Sequence, residues 1–169
     1  MELVGRVGFA AVDDTGRTAL HSAAEAGQMA VLTVLLERAT AASAARKLLE
    51  VRSAAGRTAL LDSCASGQQA AVAVLLEAGA APSAVDARGR CALHCLSEAS
   101  GAESDGRVEM YGRVLKSLRE GGALRGLLAT ADADGYTPLA CAAGAGLGRC
   151  CPYCVDPPYS SLPWQLPPY

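Results

Sequence analysis

Cysteine and histidine are two residue types in this chain that could hold a metal or act as nucleophiles. The chain has two His, His21 and His94, and seven Cys, at positions 64, 91, 95, 141, 150, 151 and 154. The stretch Cys151-Pro-Tyr-Cys154 has the spacing of half a zinc or redox site, but a four-ligand zinc site needs a second pair of ligands. No second pair follows it, so we interpret this stretch as a tail sequence without metal or redox function.

The other cysteines predict buried, reduced thiols. Cys64, Cys91, Cys95 and Cys141 lie inside helix-like segments, where a free Cys behaves as a small apolar residue. The first twelve residues contain Arg6 and an apolar run too short for a secretory signal. Because disulfides belong to oxidising compartments, this pattern favours the cytoplasm or the nucleus.

Neither histidine has the partners that catalysis requires. No Ser-His-Asp or paired-carboxylate set can be argued from residues at one-turn spacing, and the phosphate-loop pattern G-x-x-x-x-G-K-[ST] does not occur. The sequence therefore predicts no enzyme activity, no cofactor and no metal.

A row of arginines is the remaining candidate for chemistry. The stretch "GRTAL" occurs at 16–20 and 56–60, "GRCAL" at 89–93 and "GYTPL" at 135–139. The candidate residues follow the Gly of each motif or lie close to it: Arg17, Arg57, Arg88, Arg90 and Tyr136. Guanidinium groups in a row favour a partner that carries carboxylates or phosphates. The structural alternative is a solvated tip, and this Arg is the one motif residue for which we expect no structural role.

The elements around each motif repeat in the same order. The motif glycines are separated by 40, 33 and 46 residues. Asp or Ser three residues before each Gly predicts a turn, and Thr18, Thr58 and Thr137 are placed to cap a helix that follows. A short Ala-rich helix, such as 19–26, ends at Gly27, as its counterpart ends at Gly67, and a second apolar helix comes next, as at 29–39 and 69–79.

This order resembles the ankyrin repeat family, whose pattern reads roughly D-x-x-G-x-T-P-L-H-x-A-A-x-x-G, then an apolar helix ending in L-L. The resemblance covers about residues 13 to 146, with units that start near 13, 53, 86 and 132. It implies an all-α ankyrin repeat solenoid with short β-turn fingers, and a structural role for His21 and His94. Residues 1–12 are expected to be a remnant of a preceding unit or an N-terminal cap. The Pro- and Cys-rich tail, 147–169, is expected to be disordered.

The chain departs from the family pattern at three places. Seven extra residues fall in 44–52, where they either lengthen the second helix or form an extra turn. Thirteen more fall in the third unit, mostly in 101–112, and the rest near 121–128. The larger insertion predicts either a second binding surface on a polar loop or a tolerated, disordered segment; its polar residues are Glu103, Asp105, Arg107, Glu109 and Tyr111.

The fourth unit starts correctly and then loses its second helix. Six of the last eighteen residues are Pro, which cannot continue a helix. We therefore expect the chain to be a fragment or a truncated form of a longer array.

Composition and charge exclude some functions. The net charge is −2, which gives no electrostatic case for nucleic acid, and no run of 18 apolar residues predicts a membrane span. The resemblance implies a non-enzymatic protein–protein interaction module, a scaffold or adaptor, that binds through its turn tips and concave short-helix face. The Arg row suggests a partner with an acidic surface. The alternative is the ankyrin region of a larger multidomain signalling protein or enzyme.

Overall fold

The computed structural model describes residues 11–99 and 104–145, and its regular elements there are all helices. They are α1 (Ala19–Glu25), α2 (Met29–Ala41), α3 (Ala45–Glu50), α4 (Ala59–Ala65), α5 (Gln69–Glu77), α6 (Ala92–Glu98), α7 (Ser104–Glu120), α8 (Leu124–Ala129) and α9 (Pro138–Gly144). Over these residues no strand is longer than an isolated β-bridge, so the all-helical prediction is confirmed for them.

Each unit opens with the turn that the sequence predicts. The amide of the motif Gly donates to the carbonyl three residues earlier, as in Gly16 to Asp13 at 2.9 Å and Gly135 to Asp132 at 3.0 Å. Thr18, Thr58 and Thr137 are the N-cap residues of the short helices. We call these turns and their flanking residues, which begin at 13, 53, 86 and 132, the fingers.

Glycine is required in the fingers because the backbone turns sharply there. Gly56 has a φ of 73°, in the left-handed region that side chains disfavour. A Cβ at this position would lie 2.7 Å from the Ala87 nitrogen of the next finger. The glycine thus permits both the turn and the close approach of neighbouring fingers.

The units pack in sequence order. The short helices contact one another in the series α1, α4, α6 and α9, and the outer helices do so in the series α2, α5 and α7. Buried leucines and small residues fill the space between them, with Leu20, Leu60 and Leu93 as equivalent residues at 0–1% exposure. Burying one such leucine contributes about 1.5–3 kcal/mol, so adjacent units stabilise each other.

The first and third units each carry an additional short helix. The extra residues of 44–52 do not lengthen α2 but form α3, and α8 occupies the same place in the third unit. Both helices bury a Leu-Leu pair that ends four residues before the next finger: Leu48 and Leu49, and Leu127 and Leu128. The apolar pair explains why these insertions pack against the array.

The polar-loop prediction for 101–112 is wrong for the residues that the structure describes. From Ser104 onwards this segment is the first part of α7, a 17-residue helix. Tyr111 is only 3% exposed, and its hydroxyl donates to the Leu93 carbonyl at 2.6 Å. Asp105 and Glu109 are exposed on the helix, whereas Glu103 lies outside the described residues.

Three further predictions fall outside the described residues. They are the remnant unit up to residue 10, the missing second helix of the fourth unit after residue 145, and the tail with its C-x-x-C stretch at 151–154. The domain limits 1–12, 13–146 and 147–169 stay predictions.

Candidate functional site

The fingers bring the candidate residues to one side of the molecule. Three backbone hydrogen bonds of 2.8–3.0 Å join the fingers in series: Ala54 to Thr15, Ala87 to Ala55 and Ala133 to Arg88. The residue after each finger glycine therefore recurs once per unit along one edge. We call residues 11–27, 53–67, 85–99 and 131–145 the finger side, and residues 28–52, 68–84 and 104–130 the outer side.

Acidic side chains hold three of the fingers in shape. Oδ1 of Asp86 accepts hydrogen bonds from the backbone N–H groups of Arg88 and Arg90, both at 2.9 Å. Asp13 and Asp132 accept from their own fingers in the same pattern. The candidate arginines and Tyr136 thus start from a fixed backbone.

The two histidines have the structural role that the resemblance implied, and each also joins its unit to the next one. Nδ1 of His21 accepts from the Thr18 N–H at 3.1 Å, and Nε2 lies 3.1 Å from the Arg57 carbonyl of the next finger. Because an N–H can only donate, Nδ1 is the acceptor and Nε2 carries the proton. His94 repeats the arrangement, with Nε2 at 3.0 Å from the Tyr136 carbonyl.

Seven charged side chains form a continuous series of ion pairs across the first three units. We call this series the ladder, and its order is Glu25, Arg17, Asp62, Arg57, Asp86, Arg90 and Glu98. Arg90 lies 2.9 Å from both Asp86 and Glu98. The middle pairs are longer, with Arg17 3.6 Å from Asp62 and Arg57 3.7 Å from both Asp62 and Asp86.

The ladder corrects the expectation that the motif arginine has no structural role. The side chains of Arg17, Arg57 and Arg90 are 28%, 25% and 11% exposed, and each is paired with two carboxylates. Such guanidinium groups are not free to meet a partner without first giving up an internal carboxylate.

Arg88 and Tyr136 are the more accessible candidate residues. The Arg88 side chain is 53% exposed, and its partner Asp134 is 52% exposed. Tyr136, which replaces the motif arginine in the fourth unit, is 40% exposed. An exposed aromatic ring and an arginine are the types most often found at energetically important positions of protein interfaces.

The two buried carboxylates of the ladder differ in their electrostatics. Burial raises the pKa of Asp62 above its ordinary value, against the opposing charges of Arg17 and Arg57. Burial would also raise the pKa of Asp86, but hydrogen bonds from Arg90 and from the Arg88 N–H lower it below its ordinary value. The charge of Asp86 is thus stabilised by hydrogen bonds and a nearby arginine, whereas the charge of Asp62 is stabilised less than its burial requires.

One cluster has ligand types that suit a metal. Atoms of His94, Asp132 and Cys141 lie within 4.8 Å of one another. However, Nδ1 of His94 faces the Cys91 N–H, and Nε2 already donates to the Tyr136 carbonyl. If Nε2 bound a metal, the ring proton would move to Nδ1 and point at the proton of the Cys91 N–H. The residues do not fit a metal site.

The described thiols are poor nucleophiles. Cys64, Cys91, Cys95 and Cys141 are free, and all except the half-buried Cys141 are buried. Burial raises the pKa of Cys95 to about 12 and that of Cys141 to about 11. Since the thiolate is the reactive form, these residues contribute packing rather than chemistry.

A family model of the ankyrin repeat matches residues 15–46. These residues therefore form an ankyrin repeat. The matched residues include the first finger after its opening turn residues, α1 and α2, and the later units repeat that finger and short helix.

The presence of this repeat bears on the expected activity. Ankyrin repeats are generally protein-interaction modules, and the family is typically non-enzymatic. A search of curated proteins gave no match to the chain. Among the described residues, no helix is both long and apolar enough to span a bilayer.

Proposed function

We propose that this ankyrin repeat protein is a non-enzymatic interaction module that binds a protein partner through its finger tips and short-helix face. The observation that carries the proposal is the regular row of finger residues, in which Arg88 and Tyr136 are exposed while Arg17, Arg57 and Arg90 are held in the ladder. Backbone hydrogen bonds between fingers and the ladder fix this row over several units. A side chain that is ordered before binding loses less entropy when a partner arrives.

The solenoid fold and a scaffold or adaptor role belong to the same proposal. The helix contacts in unit order support a solenoid. Free described thiols support a reducing location, the cytoplasm or the nucleus. The chain as the ankyrin region of a larger signalling protein or enzyme remains the alternative, which a full-length transcript would decide.

The predicted acidic partner surface applies best to the finger tips of the third and fourth units. There Arg88 and Tyr136 are exposed. Among the described residues, Arg88 forms an ion pair with Asp134, whose side chain is also exposed. A partner carboxylate can replace Asp134 at low cost because both side chains already face solvent. Nucleic acid is disfavoured because the finger side carries eight carboxylates and four guanidinium groups.

Affinity capture from cell lysate with the folded chain tests the proposal. The test variant is Arg88→Ala with Tyr136→Ala, and the matched control on the outer side is Arg46→Ala with Val108→Ala, which are also exposed. We expect at least one protein that the wild type and the control capture and that the finger variant loses. Equal capture by both variants, with unchanged thermal melting, would contradict binding through these tips.

A further inference from the structure

The ladder has four carboxylates but only three guanidinium groups, and the carboxylates at its two ends, Glu25 and Glu98, are exposed. We propose that the short-helix face of the first three units binds an extended, basic segment of a protein partner, with Glu25 and Glu98 as its two anchors. The inference rests on the proposed function and names the chemistry of the partner at a surface next to the finger tips.

The first argument is the separation of charge between the two sides. Among the described residues, the finger side of the first three units has six carboxylates and four guanidinium groups, a net charge of −2. The outer side has nine basic and six acidic side chains, a net charge of +3. A cation approaching the molecule is therefore drawn to the finger side.

The second argument is the geometry of the two ends of the ladder. Glu25 and Glu98 occupy the last positions of α1 and α6, eight residues after Arg17 and Arg90, and their side chains are 51% and 55% exposed. They are two units apart, and packed helices are separated by about 8–10 Å, so about 16–20 Å divides them. An extended segment that rises about 3.3 Å per residue spans this distance with about five or six residues.

The third argument is an unsatisfied acceptor in the middle of the ladder. The Asp62 side chain is 9% exposed, and its Oδ2 accepts no hydrogen bond within the protein. Arg17 Nη2 is 3.6 Å away, too far for a hydrogen bond, because the same nitrogen is paired with Glu25. A partner cation that binds Glu25 releases Arg17 to move onto Asp62. Binding of the partner cation is therefore accompanied by a closer ion pair inside the ladder, between Arg17 and Asp62.

Two peptide probes and two variants of the full chain test this inference. The probes are fluorescently labelled eight-residue peptides, one of arginine and one of glutamate, and binding is measured by anisotropy at low and at high salt. We expect the arginine peptide to bind more tightly than the glutamate peptide, with an affinity that falls as salt rises. The double variant Glu25→Gln and Glu98→Gln should bind the arginine peptide about 3- to 10-fold more weakly.

The matched control is Glu37→Gln with Glu77→Gln, which makes the same change of net charge at exposed positions of the outer side. It should leave the affinity within about twofold of the wild type. The inference is overturned if the arginine peptide does not bind, if the glutamate peptide binds as tightly, or if the two double variants weaken binding equally. Loss of lysate capture in Arg88→Ala with Tyr136→Ala would still support the proposed function in each of these cases.

Discussion

The finger side and the outer side differ in how their charged side chains are held. On the finger side, the ladder and the two histidines connect one unit to the next, over pairs such as Arg57–Asp86 and His21–Arg57. On the outer side, the recorded ion pairs lie within single helices, as in Arg46–Glu50 and Arg113–Glu109. Substitutions in the ladder should therefore affect several units, and loss of an intrahelical ion pair such as Arg46–Glu50 only its own helix.

This difference indicates which side is better prepared to bind. A side chain fixed by contacts in two units has already lost much of its freedom, whereas an exposed pair within one helix still samples many conformers. Ordering at the interface is thus less costly on the finger side, and a partner can gain more from each contact there.

Removal of a bridging histidine should give the largest effect. In His21→Ala, the Thr18 N–H and the Arg57 carbonyl lose their partner in a buried site, and the volume of the ring is left empty. We expect the free energy of unfolding to fall by about 2–3 kcal/mol, measured by urea denaturation with circular dichroism. The exposed outer-side change Glu37→Ala is the control, and an equal loss in both would break the comparison.

Asp86→Asn should cost less, about 1–2 kcal/mol at pH 7, because Asn keeps an acceptor for the finger but not the charge that pairs with Arg90. The pKa of Asp86 is lowered in the folded state, so its stabilisation is present above the ordinary value of 3.8 and is lost as the pH falls through the lower folded value. Urea midpoints of wild type and variant should therefore approach each other as the pH falls below 3.8 and through the folded pKa. A difference that persists there would assign the effect to packing instead of charge.

Asp62→Asn should have the opposite sign within the same ladder. The pKa of Asp62 is raised, so any stability from this group is present below 3.8 and is lost as the pH rises through the folded value. The neutral amide should leave stability at pH 7 unchanged or raise it by up to about 1 kcal/mol. If Asp62→Asn lowers the free energy of unfolding as much as Asp86→Asn does in the same urea experiment, the charge of Asp62 stabilises the fold and this prediction is wrong.

The smallest effect is expected on the outer side. Glu50→Gln removes the exposed pair with Arg46, whose side chain is 90% exposed, and should change the free energy of unfolding by less than about 0.5 kcal/mol. Thermal melting at low and high salt measures it. A change above 1 kcal/mol would mean that outer-side pairs also support the array.

Most of the unit architecture could be predicted from the sequence because it depends on local signals. Gly16, Gly56 and the capping Thr18 and Thr58 act within a few residues of themselves, so their pattern repeats along the chain. The two additional helices were harder to predict, since six residues around a Leu-Leu pair are too few for a helical period to be distinguished from a turn.

The ladder could not be predicted because each pair between units depends on the offset of neighbouring units. One signal was nevertheless present: Arg-x-Ala-Leu-His-x-x-x-Glu occurs at 17–25 and again at 90–98. The shared spacing of Arg, His and Glu marks the first and third units as equivalent. Asp86 is recognisable as the turn residue of its finger, but nothing in the sequence marks Asp86 or Asp62 as a partner of the motif arginines.

The central claim is that a partner contacts the finger side, and photo-crosslinking tests it most directly. A photoreactive amino acid is placed at Asp14, exposed on the first finger, or at Glu37, exposed on α2, in otherwise identical chains. After irradiation in cell lysate, we predict a discrete crosslinked protein from position 14 that is absent from position 37. The same crosslinked protein from position 37 alone would contradict the account.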